Sequence, residues 1–430
     1  MKRRAVLAAL SAAAAAGVLG SLVFLAIAWQ TEIPAMAPPK LADFDAATIH
    51  RGAALVAIGD CVVCHTAERG PAFAGGRALE TPFGTLYATN ITPDQRTGIG
   101  NWSAAAFRRA MRDGVSRDGE HLYPALPYEH FTRVTDADLD AIYAFLMTRG
   151  PVLQKTPENR LIPPLGFRPL LAGWKLLFLH EDPVLPVTGQ SDEWNRGRYL
   201  VEGFGHCGGC HTPRNIAGGE ERGKPFAGGI AEGWDAPPLN AANRTAHPWT
   251  VDAVYRYLRT GMDAEHGIAN GPMGPVAHGL SGAPDDDVRS IAVYVASLLE
   301  RDGPKAGSLP PVDREVEATR EHPEGAALFA GACATCHGPG APMMAQGRPS
   351  LSFVSALQAD HPRNAVQAVV NGLPAAQAGR TALMPPFGDS LTSSQIGQIT
   401  AYLRSRYSER QPWTALEDSV EEALNAKEQP

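Results

Sequence analysis

Apolar residues return at helical spacing along most of the chain, and the pattern repeats three times. A periodic stretch from Asp45 to Gly59 opens the first copy, and Trp102, Phe107, Met111 and a closing Gly114 mark a middle helix. A final helix follows Thr135-Asp136-Ala137-Asp138, a start resembling a capping box, with Leu139, Ile142, Tyr143 and Leu146 on one face. In the second copy Trp249, Val254, Leu258 and Gly261 reproduce the middle helix at identical spacing. Val288, Ile291, Ala292, Val295 and Leu299 reproduce the final one. Val366, Val369 and Gly372, then the capping box Thr392-Ser393-Ser394-Gln395 with Ile396, Ile399 and Leu403, give the third copy. Each glycine stands just past its apolar run, where a helix C-cap is expected. Phe73-Ala74-Gly75-Gly76 also recurs as Phe226-Ala227-Gly228-Gly229. The pattern predicts an all-α chain of three tandem small helical domains at 41–150, 191–301 and 322–408. An apolar helix (1–30) precedes them, segments 151–190 and 302–321 link them, and 409–430 is a tail carrying little information.

Each copy carries one chemical motif: Cys61-Val62-Val63-Cys64-His65, Cys207-Gly208-Gly209-Cys210-His211 and Cys333-Ala334-Thr335-Cys336-His337. Together they use all six cysteines. Cys-x-x-Cys-His is the attachment pattern of haem c. Two thiols on one helical turn each form a thioether to one vinyl group of a single porphyrin, and the adjacent histidine supplies the proximal iron ligand. A redox dithiol needs no histidine beside it. A zinc site would have to join motifs more than a hundred residues apart and leave three histidines idle. Three covalently bound haems c are therefore expected, one per domain, with His65, His211 and His337 as proximal ligands.

The distal ligands come from counting. Twelve positions beyond Gly372 stands Met384, and twelve beyond Gly261 stands Met273, both in Pro/Gly-rich loops ahead of the last helix. A stiff loop presenting a thioether sulfur across the ring is what a sixth ligand requires, and Met/His ligation raises the reduction potential. Met262 is the rival in the second domain. Met343 and Met344 sit too close behind the third motif and read as haem-edge or loop residues. The same count from Gly114 reaches Leu126, which has no lone pair to give iron. Met111 falls where Leu258 and Val369 sit, a core position. For the first haem this leaves His130, one helical turn beyond Leu126, ahead of His121, or a five-coordinate iron.

Sparse aromatics and abundant Gly and Pro suit domains whose cores are filled by a prosthetic group, and a net charge of -7 makes nucleic acid an unsuitable partner. Lys2, Arg3 and Arg4 precede an uncharged run from Ala5 to Trp29, long enough to span a bilayer. The positive flank predicts that the rest of the chain lies on the outer side, while Ala26-Ile27-Ala28 offers a signal-peptide cleavage site. Leu161 to Leu179 is rich in Leu and Phe but broken by Pro163, Pro164 and Pro169, so it does not read as a membrane span. Packing between domains is its plain reading; a membrane face or a partner-docking surface are the others.

The mature chain resembles the tri-haem cytochrome c subunits of bacterial membrane-associated dehydrogenases. The resemblance rests on the three motifs and Tyr87-Ala88-Thr89-Asn90-Ile91-Thr92-Pro93-Asp94. Arg168-Pro169-Leu170, Ala172-Gly173-Trp174, and Asn195-Arg196-Gly197 leading to Gly205-His206-Cys207 add to it. It implies electron transfer from a large catalytic dehydrogenase subunit to ubiquinone or a downstream cytochrome or oxidase, on the periplasmic side of the inner membrane. Anchoring would be by the N-terminal helix or through the complex. The partner it implies is a quinoprotein alcohol, gluconate or aldehyde dehydrogenase, or a molybdenum hydroxylase. Leu126 in place of methionine, with His130-Phe131-Thr132 following, looks more like the second group. No catalytic chemistry of its own is expected. The alternative is a haem enzyme with an open first iron acting on peroxide or another small oxidant.

Overall fold

The structure, a computed structural model, describes residues 2–243, 245, 247–300, 312–341, 349–373 and 384–428. Met343, Met344 and the first part of the 302–321 linker therefore lie outside the described residues. The chain divides into two compact units, Met1–Leu185 and Pro186–Pro430. The second holds two of the three motifs, and most of the segment expected as an interdomain linker after residue 150 belongs to the first.

In the first unit, α1 (Lys2–Ala28) is followed by α2 (Ala46–Ile58), α3 (Cys61–Cys64), a hairpin of β1 (Ala78–Thr81) and β2 (Gly84–Tyr87), α4 (Ala104–Asp113), α5 (Tyr128–Phe131) and α6 (Asp136–Met147). Two linker elements complete it: β3 (Arg160–Leu161), which pairs antiparallel with β2, and α7 (Leu170–Phe178). Among the described residues no helix is long and apolar enough to cross a membrane.

The second unit begins with α8 (Asp192–Glu202), α9 (Gly208–His211), the hairpin β4 (Gly229–Ala231) and β5 (Trp234–Ala236), and α10 (Val251–Thr260). A small ribbon of β6 (Met262–Asp263) and β7 (Gly267–Ile268) leads to α11 (Met273–Ser281) and α12 (Asp285–Leu299). Then come α13 (Glu315–Glu321), α14 (Pro323–Ala332), α15 (Ala334–His337), α16 (Ser355–Gln358), α17 (Arg363–Asn371), α18 (Ser393–Tyr407) and α19 (Leu416–Glu428). The fold is mostly helical, as expected, but the hairpins were not. Strands of two to four residues are too short to show a period of two. The tail is also more than a tail: α19 buries Val420 and Ala423 against Val366 and Val370 of α17.

One contact recurs in every repeat and organises it. The helix before each motif crosses the last helix at a glycine. A Cβ on Gly52 would run into the Ala141 carbonyl oxygen, one on Gly197 into that of Ser290, and one on Gly325 into that of Gln398. One turn on, the same imaginary Cβ meets an aromatic residue's Cβ: Phe145 at 2.9 Å, Tyr294 at 2.9 Å and Tyr402 at 2.8 Å. Only glycine lets two backbones approach this closely. Ion pairs flank two of the crossings, Arg51 with Asp138 and Arg196 with Asp287, the latter through two bonds of 2.8 and 3.1 Å.

The caps follow the sequence in part. Thr392 and Gln395 form both halves of a capping box. At Thr135 the hydroxyl accepts from the Asp138 amide, and the Asp138 carboxylate pairs with Arg51. Gly114 and Gly261 end their helices in the left-handed region. Gly372 has φ 68° but ψ −169°, an extended exit open only to glycine, because its backbone lies directly on that of Met384.

Candidate functional site

Each Cys-x-x-Cys pair sits on or beside one short helical turn just after a crossing helix, so both thiols are fixed relative to the domain core. None of the six cysteines is in a disulfide. Burial pushes the Cys61 and Cys207 thiols up to about 12 and that of Cys333 up to about 11. A working redox dithiol needs the opposite, a thiol shifted down towards thiolate. Among the described residues no three His, Cys, Asp or Glu side chains gather as a metal-ion site.

The histidines beside the second cysteines are oriented by the backbone in the first two motifs. His65 Nδ1 lies 2.6 Å from the Thr89 carbonyl oxygen, and His211 Nδ1 lies 2.6 Å from that of Pro237. A ring N–H donated to a backbone carbonyl fixes the tautomer, orients the ring and leaves Nε2 with its lone pair for a metal. Burial lowers the pKa of both rings, and of His337, keeping them neutral as a ligand must be.

The two methionines are held by different means. Met273 is the first residue of α11, its amide donating to the Asn270 carbonyl (3.1 Å), and Gly271 before it lies flat against the Trp234 indole. Met384 forms an antiparallel bridge with Leu373 through bonds of 2.9 and 3.2 Å and packs on the Val366–Val369–Ile396 cluster. Met262 stands in β6, and Met111 is buried on α4 as Leu258 is on α10 and Val369 on α17.

In the first unit, Leu126 lies in the loop before α5 and is half-buried, and His130 is buried on α5. His121 is spent elsewhere. Its Nε2 lies 2.9 Å from the Ala28 carbonyl oxygen, and its Nδ1 accepts from the Lys175 ammonium at 2.9 Å. Both ring nitrogens are thus engaged by protein groups. Lys175 also donates to the Asp113 and Gly114 carbonyls, each at 2.6 Å, tying the linker helix α7 to the C-terminus of α4. Burial pushes its ammonium down to about 7. The unfolded chain keeps that proton up to the ordinary lysine range and the folded chain releases it earlier. Stability of this unit therefore rises as pH goes from about 7 to about 10. Thermal melts across that window should show this rise, and Lys175→Met should flatten it.

Sequence reasoning missed the crossing glycines, Trp234 and Lys175. Gly52, Gly197 and Gly325 precede their first cysteines by nine, ten and eight residues, a repeat visible once looked for.

Paired thiols beside a neutral, carbonyl-oriented histidine on a helical scaffold fit covalent haem c, and this defines a c-type cytochrome. Comparison with known proteins agrees. The cytochrome c family model matches residues 49–150, and the model of cbb3-type cytochrome c oxidase subunit III matches residues 320–403. The chain is 35% identical over 401 residues to the fructose dehydrogenase cytochrome subunit of Gluconobacter japonicus, covering 87% of this chain and 82% of that protein. It is 34% identical to the gluconate 2-dehydrogenase cytochrome c subunit of Pantoea cypripedii, covering 84% and 86%. It is 45% identical over 408 residues to a nicotinate dehydrogenase subunit of Pseudomonas putida, covering 93% of this chain but spanning only 34% of that longer protein. The chain belongs to the cytochrome c subunits of dehydrogenases: it is an electron-transfer subunit, not a catalytic one.

Proposed function

We propose that the chain holds three haems c and relays electrons singly from a partner dehydrogenase to ubiquinone or to a downstream cytochrome or oxidase. Each haem c, when bound, supplies a one-electron iron couple. The chain's residues attach it, orient its ligands and set its polarity. In this reading Cys61 and Cys64, Cys207 and Cys210, and Cys333 and Cys336 form the thioethers. His65, His211 and His337 are proximal ligands, Met273 and Met384 distal ones, and His130 faces the first iron. The observation that carries it is the pair of Nδ1–carbonyl bonds at His65 and His211, made to residues 24 and 26 positions further along the chain. That is the support a metal-bound imidazole needs.

The partner is best matched by a dehydrogenase of the nicotinate type, since identity to that relative is 45% against 35% for the quinone-dependent alcohol dehydrogenase subunit. Leu126 points the same way. The protein works on the periplasmic face of a membrane, held there by α1 or through the complex. Leu176 and Leu177 of α7, 65% and 68% exposed, extend the apolar surface available for that contact. Mass spectrometry of matured protein should show three added haems and whether Met1 to Ala28 remain. Met273→Ala and Met384→Ala should each remove one methionine–iron absorption signature and lower one midpoint potential. Fewer than three haems, or unchanged spectra, would refute the assignment.

A further inference from the structure

We propose that the third domain positions the axial ligands of the second haem, through Arg363, Asn364 and Gln367. The proposal rests on His211 and Met273 being those ligands.

The β4–β5 hairpin touches both ligand supports. Pro237, whose carbonyl accepts from His211 Nδ1 at 2.6 Å, directly follows β5. Trp234 of β5 lies against Gly271, two residues before Met273; a Cβ there would stand 2.5 Å from the indole. Moving β5 therefore moves the carbonyl that aims the histidine and the surface that seats the methionine loop.

What fixes β5 is α17. The Asn364 side chain treats the outer edge of the strand as a neighbouring strand would. Its Oδ1 accepts from the Asp235 amide at 2.8 Å, and its Nδ2 donates to the Asp235 carbonyl at 2.7 Å. Arg363 pairs with the Asp235 carboxylate, and Gln367 Nε2 donates to the Gly233 carbonyl at 3.3 Å. The first unit has the same device from another source. Tyr87, like Asp235, stands two residues before the carbonyl that orients the proximal histidine. Its amide donates at 2.9 Å to Asn159 Oδ1, and β3 follows on that edge. An asparagine amide thus closes the equivalent strand in both cases. The linker supplies it to the first haem site, and the third domain supplies it to the second.

The test is Arg363→Ala/Asn364→Ala in the full chain, with visible and magnetic circular dichroism spectra and a redox titration of all three haems. Met273→Ala identifies the second haem's signals beforehand; if that variant removes no signature, the ligand assignment fails, and the brace with it. Given that assignment, the double variant should lower the midpoint of the second haem and weaken its methionine–iron band. The first haem should stay unchanged, and Arg363→Lys should restore part of the shift. An unchanged second haem overturns the proposal. So does an equal disturbance of all three, or a larger one at the third, because the contact would then serve only the fold. Asn159→Ala should move the first haem and spare the second, a readout no general loss of stability reproduces.

Discussion

Gly325→Val should destabilise the helical repeat around Cys333 and Cys336 by about 3 kcal/mol, the upper end of the cost of overfilling a packed contact. Two backbones meet at this glycine, and any Cβ there strikes the Gln398 carbonyl before it reaches a side chain that might yield. α14 and α18 would have to part, and with them the frame that holds Cys333, Cys336 and His337. Gly331, on the same helix, is the matched control: a Cβ there meets nothing within 4 Å. Gly331→Ala should be neutral or stabilise by about 0.5 kcal/mol, through reduced freedom of the unfolded chain. Denaturant midpoints and haem content per chain measure both. Equal effects at the two positions would deny the crossing its role.

His130→Ala should turn the first haem from low-spin to high-spin and leave the other two spectra intact, whereas His121→Ala should leave the spin state of all three unchanged. His121 is held by the Ala28 carbonyl and Lys175, while His130 is buried one turn beyond the leucine that stands at the methionine position of the other two copies. Paramagnetic resonance or magnetic circular dichroism reads the change directly. A first haem already high-spin in the unaltered protein would mean an open iron and remove His130 from the ligand set.

Much of the helical frame was legible because its signals are local. The capping box at Thr392 and the periodic faces of α4, α10 and α12 each depend on residues a turn or two apart. The Cys-x-x-Cys-His motifs were legible for the same reason. What escaped depends on distant partners. The Asp138 carboxylate pairs with Arg51, 87 residues away, a contact no local pattern announces. The stretch after residue 150 read as a connection between domains, yet β3 completes a sheet and α7 inserts Lys175 against Asp113 and Gly114. The contacts of His121 with Ala28 and Lys175, 93 and 54 residues away, leave no local trace in the chain either.

The clasp of Asn364 on β5 has one more consequence, for anyone dissecting the molecule. A fragment ending before Arg363 would bare a strand edge with its amide and carbonyl groups unpaired, a template on which second copies can stack. Residues up to Leu185 carry their own cover in β3, so a single-pigment piece with a closed strand edge is better sought there than in the middle of the chain.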